Sequence, residues 1–328
     1  MGSPFTARLL GLLAEELTPE TPLGPRLLAW DGTPDEAVPL RLAGALHALV
    51  LSGEAPSLAA AYPPGEVSDA ALRTALADAL RDRAVVVGTF LDSPPQTNEV
   101  GRSAVLIAAA HWLHGRRPLP LRLSELGASA GLNLNFDRYA LLAQGTRLGP
   151  ADAALTLAPG WTGTRPLPAP VRIKERRGVD LSPIDLRDPA QRLRLRSYVW
   201  ADQTERLARL DAALALPRAP VDRGDAAPWL ARRLAERHPG QLHLVYHTVA
   251  WQYFPGATQA ACTAALARAG ARATPDAPLA HLAMESDGLT FGAAVSLTLW
   301  PRGETFDFGR ADFHGRWVDW RAWDPRST

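Results

Sequence analysis

The stretch Leu121-Arg-Leu-Ser-Glu-Leu-Gly-Ala-Ser-Ala-Gly-Leu-Asn-Leu134 decides which fold is expected for this chain. Its first six residues have the character of a buried strand, and Gly127 and Gly131 then bracket three small residues. Glycine allows the backbone angles of a tight turn, and small side chains let a ligand approach the backbone. A helix is expected after Gly131, with its free N–H groups and its positive dipole end at the turn. The stretch therefore predicts a strand, a glycine turn and a helix.

Short apolar runs alternate with helical patterns from residue 118 to the C-terminus. The predicted strands cover residues 121–126, 171–180, 220–223, 242–247, 279–285, 293–300 and 316–320. Helical patterns separate most of them, at residues 132–143, 189–215, 228–238 and 257–269. Such alternation is typical of βαβ units, so we expect an α/β fold with a Rossmann-like, mostly parallel sheet. The short interval 286–292 between two of the runs predicts an antiparallel edge hairpin.

The region before residue 118 contains only helical periodicity. Its predicted helices cover residues 5–17, 36–51, 68–91 and 96–114, and Ser68 stands where it would cap the third. We therefore expect an all-helical N-terminal region over residues 1–117, which serves as a cap or as an acceptor pocket, and a Rossmann-like domain over residues 118–328. Residues 144–170 are rich in Gly, Pro and Thr and are expected to form a loop insertion.

Composition and charge exclude several classes of function. Of the 328 residues, 47% are hydrophobic and 21% charged, and the net charge is +1, so no nucleic-acid partner and no membrane-surface partner is expected. Cys262 is the single cysteine, which rules out an intrachain disulfide and a cysteine-based zinc site, and no metal is expected. The N-terminus has no signal-peptide pattern, and no apolar run reaches the roughly 20 residues of a membrane span. We expect a cytoplasmic protein.

Two chemistries use a glycine turn of this kind. Close packing against a neighbouring segment, without any chemistry, also explains such a turn. In a cofactor cradle, the pattern E-x-G-x-x-x-G surrounds a nucleotide or S-adenosylmethionine. In a nucleophile elbow, Gly127-Ala-Ser129-Ala-Gly131 matches G-x-S-x-G, and Ser129 attacks the substrate. An elbow needs strands before it and an acid and a histidine after it, which Asp225 or Asp287 with His314 would supply. Since only helices precede the turn, the cradle is favoured.

The cradle also needs polar residues where the next strands end. Asp180 ends the second predicted strand and is expected to accept both ribose hydroxyls, and Asp225 with Ala226 follows the third, near the adenine amino group. The interval from the turn to Asp180 exceeds the usual ~20 residues, and the 144–170 insertion must absorb the excess. The predicted cofactor-binding residues are Glu125, Gly127, Ala128, Ser129, Gly131, Asp180, Leu181, Asp225 and Ala226.

These blocks resemble known families at two levels. Glu125-Leu-Gly-Ala-Ser-Ala-Gly131, Gly178-Val-Asp-Leu-Ser182, Gly224-Asp-Ala226 and Leu244-Val-Tyr-His-Thr-Val249 occur in the order seen in class I S-adenosylmethionine-dependent methyltransferases. This resemblance runs from Leu119 to the C-terminus and implies a methyltransferase-type domain with S-adenosylmethionine as cofactor.

A second resemblance covers nearly the whole chain. Gln96-Thr-Asn-Glu-Val-Gly-Arg102, the glycine turn, Gly178-Val-Asp-Leu-Ser-Pro-Ile-Asp185, the 200–206 segment and His314-Gly-Arg-Trp317 look like the bacterial domain of unknown function 2332 family. This resemblance implies an architecture and no activity.

Further polar residues are candidates for catalysis and for a substrate pocket. His247 ends the fourth predicted strand at the edge of the sheet where ligands bind, and a histidine is a good general base near neutral pH. His247 and Glu99 are the predicted catalytic residues. The predicted substrate pocket consists of Asn98, Arg102, Asn133, Trp251, Glu285, His314 and Arg316.

The sequence thus predicts an S-adenosylmethionine-binding protein that methylates a small molecule. Three alternatives stay open: a serine hydrolase that uses Ser129, a non-catalytic nucleotide-binding protein, and an NAD-type oxidoreductase. The last is disfavoured because its G-x-G-x-x-G pattern does not stand here. The sequence does not specify the methyl acceptor or the oligomeric state.

Overall fold

A computed structural model describes residues 2–32 and 36–322. The chain divides into two compact units, one formed by residues 1–97 with 185–210 and the other by residues 98–184 with 211–328. The predicted division lies at residues 117 and 118, and its outer bounds at 1 and 328 fall outside the described residues. The helix Ser103–Arg116 belongs to the second unit, where Trp112 makes edge-to-face contacts with Phe306 and Phe308.

The α-helices in chain order are α1 Pro4–Glu16, α2 Gly24–Leu28, α3 Val38–Ser52, α4 Pro56–Ala61, α5 Asp69–Asp82, α6 Ala84–Leu91, α7 Ser103–Arg116, α8 Pro189–Ser197, α9 Thr204–Leu214, α10 Ala226–Arg233 and α11 Gly256–Gly270. The strands are β1 Leu121–Leu126, β2 Ala140–Ala143, β3 Thr146–Leu148, β4 Thr156–Leu157, β5 Gly160–Gly163, β6 Ile173–Asp180, β7 Val221–Arg223, β8 Leu242–Thr248, β9 Leu279–Glu285, β10 Ala293–Trp300, β11 Glu304–Ala311 and β12 Trp317–Trp320.

The first unit is helical, and its described part contains no strand. Leucines at helical spacing on α1, α3 and α5 meet in one apolar cluster, which includes Leu13, Leu46 and Leu76. Ser68 caps α5 by accepting a hydrogen bond from the backbone N–H of Ala71, as predicted. The predicted helix 68–91 is two helices, because the backbone leaves the helical conformation at Arg83, between α5 and α6.

The described part of the second unit contains a nine-stranded sheet with the order β5-β12-β11-β10-β9-β8-β1-β6-β7. Strands β9, β8, β1, β6 and β7 are mutually parallel. In the sheet, β1 lies at the centre of these five strands, with β6 and β7 on one side and β8 and β9 on the other. The prediction of a mixed α/β fold with a mostly parallel sheet is confirmed.

The antiparallel edge is also confirmed, and it is wider than a hairpin. Strand β10 pairs antiparallel with β9, and β11 and β12 continue the antiparallel pattern. Strand β11 has no counterpart among the predicted strands. Polar residues interrupt its apolar ones, with Asp307 between Phe306 and Phe308, and the strand pairs with β10 on one side and β12 on the other.

The helix predicted at residues 132–143 is wrong. A short 3₁₀ helix covers Leu132–Arg138, and strand β2 follows at once. Gln144 and Gly145 both have positive φ, 48° and 74°, which is the backbone of a two-residue hairpin turn. This turn pairs β2 with β3, so residues 140–143 extend as a strand. The turn at Gly127–Gly131 therefore has no α-helix after it.

The predicted loop insertion at 144–170 contains three short strands. Strands β3 and β4 form a small sheet with β2, and β5 pairs with β12 at the edge of the large sheet. The insertion lies between β1 and β6, so it supplies the extra chain length between the glycine turn and Asp180. Within residues 2–32 and 36–322, no helix is long and apolar enough to cross a membrane.

Candidate functional site

The candidate site lies at the carboxyl ends of the parallel strands in the second unit. Because the chain leaves β1 towards β6 on one side while β8 lies on the other, this edge has a topological switch point at β1, where open α/β sheets bind ligands. Glu125 lies at the end of β1, Asp180 at the end of β6, His247 near the end of β8 and Glu285 at the end of β9.

Glu125 is a buried carboxyl group, and only 2% of the residue is exposed. Burial raises its pKa well above 4.5, and the charge of Asp180 raises it further, while the charge of Arg102 and the hydroxyl of Tyr246 lower it. Its Oε2 atom has no hydrogen-bond partner in the described part of the chain. An unpartnered buried carboxyl oxygen costs free energy unless a ligand completes its hydrogen bonds.

The glycine turn holds a second unpartnered polar group. Ser129 is 5% exposed, has a φ of +53°, and its Oγ has no hydrogen-bond partner among residues 2–32 and 36–322. Positive φ is strained for serine, and such strain concentrates at ligand sites. The backbone N–H of Ser129 donates to Oδ2 of Asp180 at 2.9 Å, and that of Ser182 donates to Oδ1 at 2.8 Å. Asp180 therefore joins the turn to the end of β6.

Close packing accounts for the small residues of the turn. A Cβ atom on Gly127 would lie 2.6 Å from Cβ of Ala250, and one on Gly131 would lie 2.8 Å from Cγ2 of Val221. Ala128 is fully buried, and its Cβ occupies the space that a side chain at Gly178 would need. Of the predicted cofactor-binding positions, Ala128 is thus an internal contact.

His247 is bonded at both ring nitrogens. Its Nδ1 lies 2.7 Å from Oε1 of Glu285, and its Nε2 lies 3.0 Å from Nε2 of His281. Trp251 stacks on the ring with the centroids 4.7 Å apart, and His247 is 2% exposed. A general base needs a free ring nitrogen facing the substrate, so in this arrangement His247 positions its neighbours.

Glu285 organises the loop that follows β8. Its Oε1 also accepts the backbone N–H groups of Ala250 and Trp251, at 3.0 and 3.2 Å. The loop starts at Val249, which has a φ of +52°. Glu285 therefore fixes the conformation that presses Ala250 against Gly127. Trp251 and Glu285, two of the seven residues predicted for the substrate pocket, are thus in contact with each other.

The 98–102 segment lies against the residues after the glycine turn. Oδ1 of Asn98 accepts the N–H of Leu132 at 2.9 Å, and Nδ2 of Asn133 donates to the carbonyl of Glu99 at 3.3 Å. Arg102 donates to the carbonyl of Thr248 at 2.8 Å, which brings it to the end of β8. The structure therefore gathers Asn98, Glu99, Arg102 and Asn133 beside β1 and β8.

The loop 312–316 completes this cluster. Asp312 is fully buried and accepts hydrogen bonds from the N–H groups of His314 and Arg316 and from the Arg316 guanidinium. The loop brings Nδ1 of His314 to 3.5 Å from Oε2 of Glu99. The Arg102 guanidinium donates to the carbonyl of Phe313 at 2.8 Å. Arg316 thus stabilises the loop through its bonds to Asp312, and His314 faces the buried carboxyl group of Glu99.

Three more of the predicted cofactor-binding residues, Asp225, Ala226 and Leu181, lie on or beside β6 and α10. Asp225 caps α10 by accepting the N–H of Ala227 at 2.8 Å, and its other oxygen accepts the hydroxyl of Thr258 at 2.9 Å. Ala226 packs in an apolar cluster with Leu126 and Val179. Leu181 is exposed beside Asp180.

The chain matches the model of one bacterial family over nearly its whole length. The model of a family described as "Uncharacterized protein conserved in bacteria (DUF2332)" matches residues 1–320. The chain belongs to the DUF2332 family. The whole-chain resemblance seen in the sequence is therefore confirmed. No curated protein and no solved structure matches the chain.

In this DUF2332 member, sequence reasoning missed His281, Tyr246 and Asp312. His281 could have been predicted from the sequence. It lies four residues before Glu285 on β9, and alternate residues of a strand share a face. The pKa of His281 is lowered to about 3, first by burial and then by the charge of His247. No group of three or more metal-ligating side chains occurs where the structure describes the chain.

Proposed function

We propose that this protein binds S-adenosylmethionine at the carboxyl edge of its parallel strands and transfers the methyl group to a small-molecule acceptor. One observation carries the proposal: the buried, unpartnered Glu125 carboxyl lies at the switch point of a β7-β6-β1-β8-β9 order. That order is 3-2-1-4-5 when the parallel strands are numbered along the chain, which is the order of Rossmann-like sheets.

The polar groups of the turn fit the hydrogen-bonding atoms of such a cofactor. Each carboxylate oxygen of Asp180 accepts one backbone N–H, and a carboxylate offers about four acceptor sites, so it can still accept ribose hydroxyls. The Oγ of Ser129 and the Oε2 of Glu125 have no partner among the described residues and would bond the polar end of the ligand. A cationic amine beside Glu125 would favour the ionised carboxylate. When bound, the cofactor supplies an activated methyl group.

The chain's own residues would orient the acceptor and take its proton. Oε2 of Glu99 lies 3.5 Å from Nδ1 of His314, and a carboxyl group beside an imidazole can orient the ring for proton transfer. We assign proton removal to this pair, because both nitrogens of His247 are occupied by Glu285 and His281. His247 would then hold Glu285, which accepts the backbone N–H groups of the loop after β8.

The test is a calorimetric titration with S-adenosylmethionine, S-adenosylhomocysteine and NAD. We expect saturable binding of the first two, and we expect Asp180→Asn to weaken it about tenfold through loss of a charged acceptor. Asp307→Asn is the control, since Asp307 is exposed on β11. The proposal is wrong if neither S-adenosyl compound binds at millimolar concentration, or if Asp180→Asn binds as the wild type does.

A non-catalytic nucleotide-binding protein is the second candidate, favoured by the occupied nitrogens of His247. It predicts binding of S-adenosylmethionine without conversion to S-adenosylhomocysteine across a panel of acceptors. The serine hydrolase requires a histidine at Ser129, and Ser129 Oγ has no partner in the described chain. A fluorophosphonate probe that labels the wild type and spares Ser129→Ala would favour that hydrolase.

A further inference from the structure

An arginine-rich cleft lies beside the edge strand β7 and helix α10, in the second unit. It has a volume of about 510 Å³, and its wall includes Arg122, Arg177, Arg223, Arg232 and Arg233. These five guanidinium groups come from β1, β6, β7 and α10. The volume falls in the range of roughly 300–1,000 Å³ that is typical of small-ligand sites.

Three of these arginines are held in place by acidic side chains. Arg177 forms a two-point ion pair with Asp222, at 2.7 and 2.8 Å, and the indole N–H of Trp229 fixes the same carboxylate at 2.7 Å. Arg233 donates to Oε1 of Glu175 at 2.8 Å, and Arg122 pairs with the other oxygen of Glu175. Fixed guanidinium groups lose less conformational entropy when they bind a ligand.

The positive charge in the cleft exceeds the negative charge. Arg122 and Arg233 share Glu175, and Arg177 takes Asp222, so two carboxylates serve three of the guanidinium groups. Arg223 and Arg232 are exposed and have no ion pair in the part of the chain that the structure describes. Even with the nearby carboxylate of Glu236 counted, five guanidinium groups outnumber three carboxylates.

One arginine of the cleft also has a nitrogen atom that forms no hydrogen bond with the described residues. The Nε of Arg122 is buried and has no partner within residues 2–32 and 36–322. Burial lowers the pKa of Arg122, and the neighbouring charge of Arg233 lowers it further. An anion in the cleft would relieve the repulsion between these guanidinium groups.

We propose that this cleft binds a small ligand that carries a phosphate or diphosphate group. Planar guanidinium groups bind phosphate oxygens in pairs, and the surplus of positive charge matches a multiply charged anion. A small ligand is favoured over a nucleic acid, since the chain has a net charge of +1 and the arginines are confined to one cleft. Glu125, Ser129 and Asp180 are not part of the cleft, so the inference is independent of the proposed function.

The experiment is a calorimetric titration of the full chain with inorganic phosphate and pyrophosphate at constant ionic strength. Saturable binding is expected, stronger for pyrophosphate. The double variant Arg223→Ala with Arg232→Ala should bind pyrophosphate about tenfold more weakly or worse. Both side chains are exposed, so the variant should unfold at the wild-type temperature. Arg268→Ala, exposed on α11, is the control and should bind as the wild type does.

Three outcomes would overturn the proposal. One is the absence of saturable pyrophosphate binding to the wild type. Another is an equal affinity in the wild type and the folded double variant. The third is a single-stranded oligonucleotide that binds more tightly than pyrophosphate and loses affinity in the same double variant, because the natural ligand would then be a nucleic acid.

Discussion

Glu285 and His247 form a 2.7 Å hydrogen bond that joins the ends of β9 and β8 at the candidate site. The same Glu285 oxygen accepts two backbone N–H groups from the loop after β8. One half-buried carboxyl group thus sets the position of a histidine, of a loop and, through Ala250, of the packing against Gly127. The carboxyl edge of the sheet is therefore held in shape before any ligand binds.

Replacing Glu285 tests this arrangement. We expect Glu285→Ala to lower the free energy of unfolding by about 2–4 kcal/mol, because a buried histidine and two N–H groups lose their acceptor. Glu285→Gln keeps one acceptor oxygen and should lose about half as much. Glu304→Ala, on β11 with a half-exposed side chain, should change stability by less than about 0.5 kcal/mol. Urea unfolding measures all three, and equal losses for Glu285→Ala and Glu304→Ala would contradict the assignment.

The protonation of Glu125 makes stability depend on pH. Since burial raises the pKa of Glu125 well above 4.5, the folded chain holds a proton that the unfolded chain releases near pH 4.5. Its contribution to stability is complete below that pH and is lost as pH rises through the folded pKa, at up to about 1.4 kcal/mol per pH unit.

Glu125→Gln should remove this loss, so the variant gains stability relative to the wild type as pH rises. Urea unfolding from pH 4 to pH 8 measures the difference between the two proteins. A constant difference across that interval would show that Glu125 does not titrate as the structure indicates.

His243 should produce a pH dependence of the opposite sign. Burial, followed by the charges of Arg233 and Arg122, lowers the pKa of His243 well below 6.5. Near pH 6 the histidine is therefore partly protonated in the unfolded chain and neutral in the folded chain. Its contribution to stability is complete above pH 6.5 and is lost as pH falls towards the folded pKa. His243→Gln keeps a hydrogen-bonding group for Ser124, which lies 2.8 Å from Nε2.

We expect the stability of the wild type relative to His243→Gln to fall by up to about 1.4 kcal/mol per pH unit below pH 6.5. Thermal or urea unfolding from pH 7.5 to pH 5 measures it. Parallel pH profiles for the two proteins would contradict the prediction.

Ser129 and Ser103 are a matched pair of buried serines. Ser129 Oγ has no partner in the described chain, whereas Ser103 Oγ donates to Oδ1 of Asn133 at 2.7 Å. We expect Ser129→Ala to raise the free energy of unfolding by about 1 kcal/mol and Ser103→Ala to lower it by about 1–3 kcal/mol. The same Ser129→Ala protein should bind S-adenosylmethionine more weakly. Equal stability changes in the two variants would mean that the Ser129 hydroxyl is satisfied in the folded protein.

Much of the sheet could be predicted from the sequence, because its strands are short apolar runs bounded by turn residues. The bounds of β1, β9 and β10 agree with the predicted ones. Strand β11 was missed, since its charged residues hide the apolar alternation and its pairing partners decide its conformation. The prediction of a helix at residues 132–143 was wrong for a related reason, because a hairpin turn at Gln144 and Gly145 overrides the helical pattern of this segment.

The candidate site, like the fold, could be predicted only in part. The sequence identified Glu125, Asp180 and Glu285 because each closes a strand, and parallel strands end at one edge. It did not identify the bond between His247 and His281, since strand order decides which side chains become neighbours.

By itself, the sequence determined the alternation of strands and helices, the glycine turn and the set of polar residues that end the strands. These follow from local backbone preferences and from apolar periodicity, which are properties of neighbouring residues. Only the tertiary structure decided which of those polar groups have partners. Glu125 Oε2 and Ser129 Oγ are without one in the described residues, while His247 is bonded on both sides. The reason is physical: burial and hydrogen bonding depend on contacts between residues far apart in the chain, and strand order, which no local pattern encodes, creates those contacts.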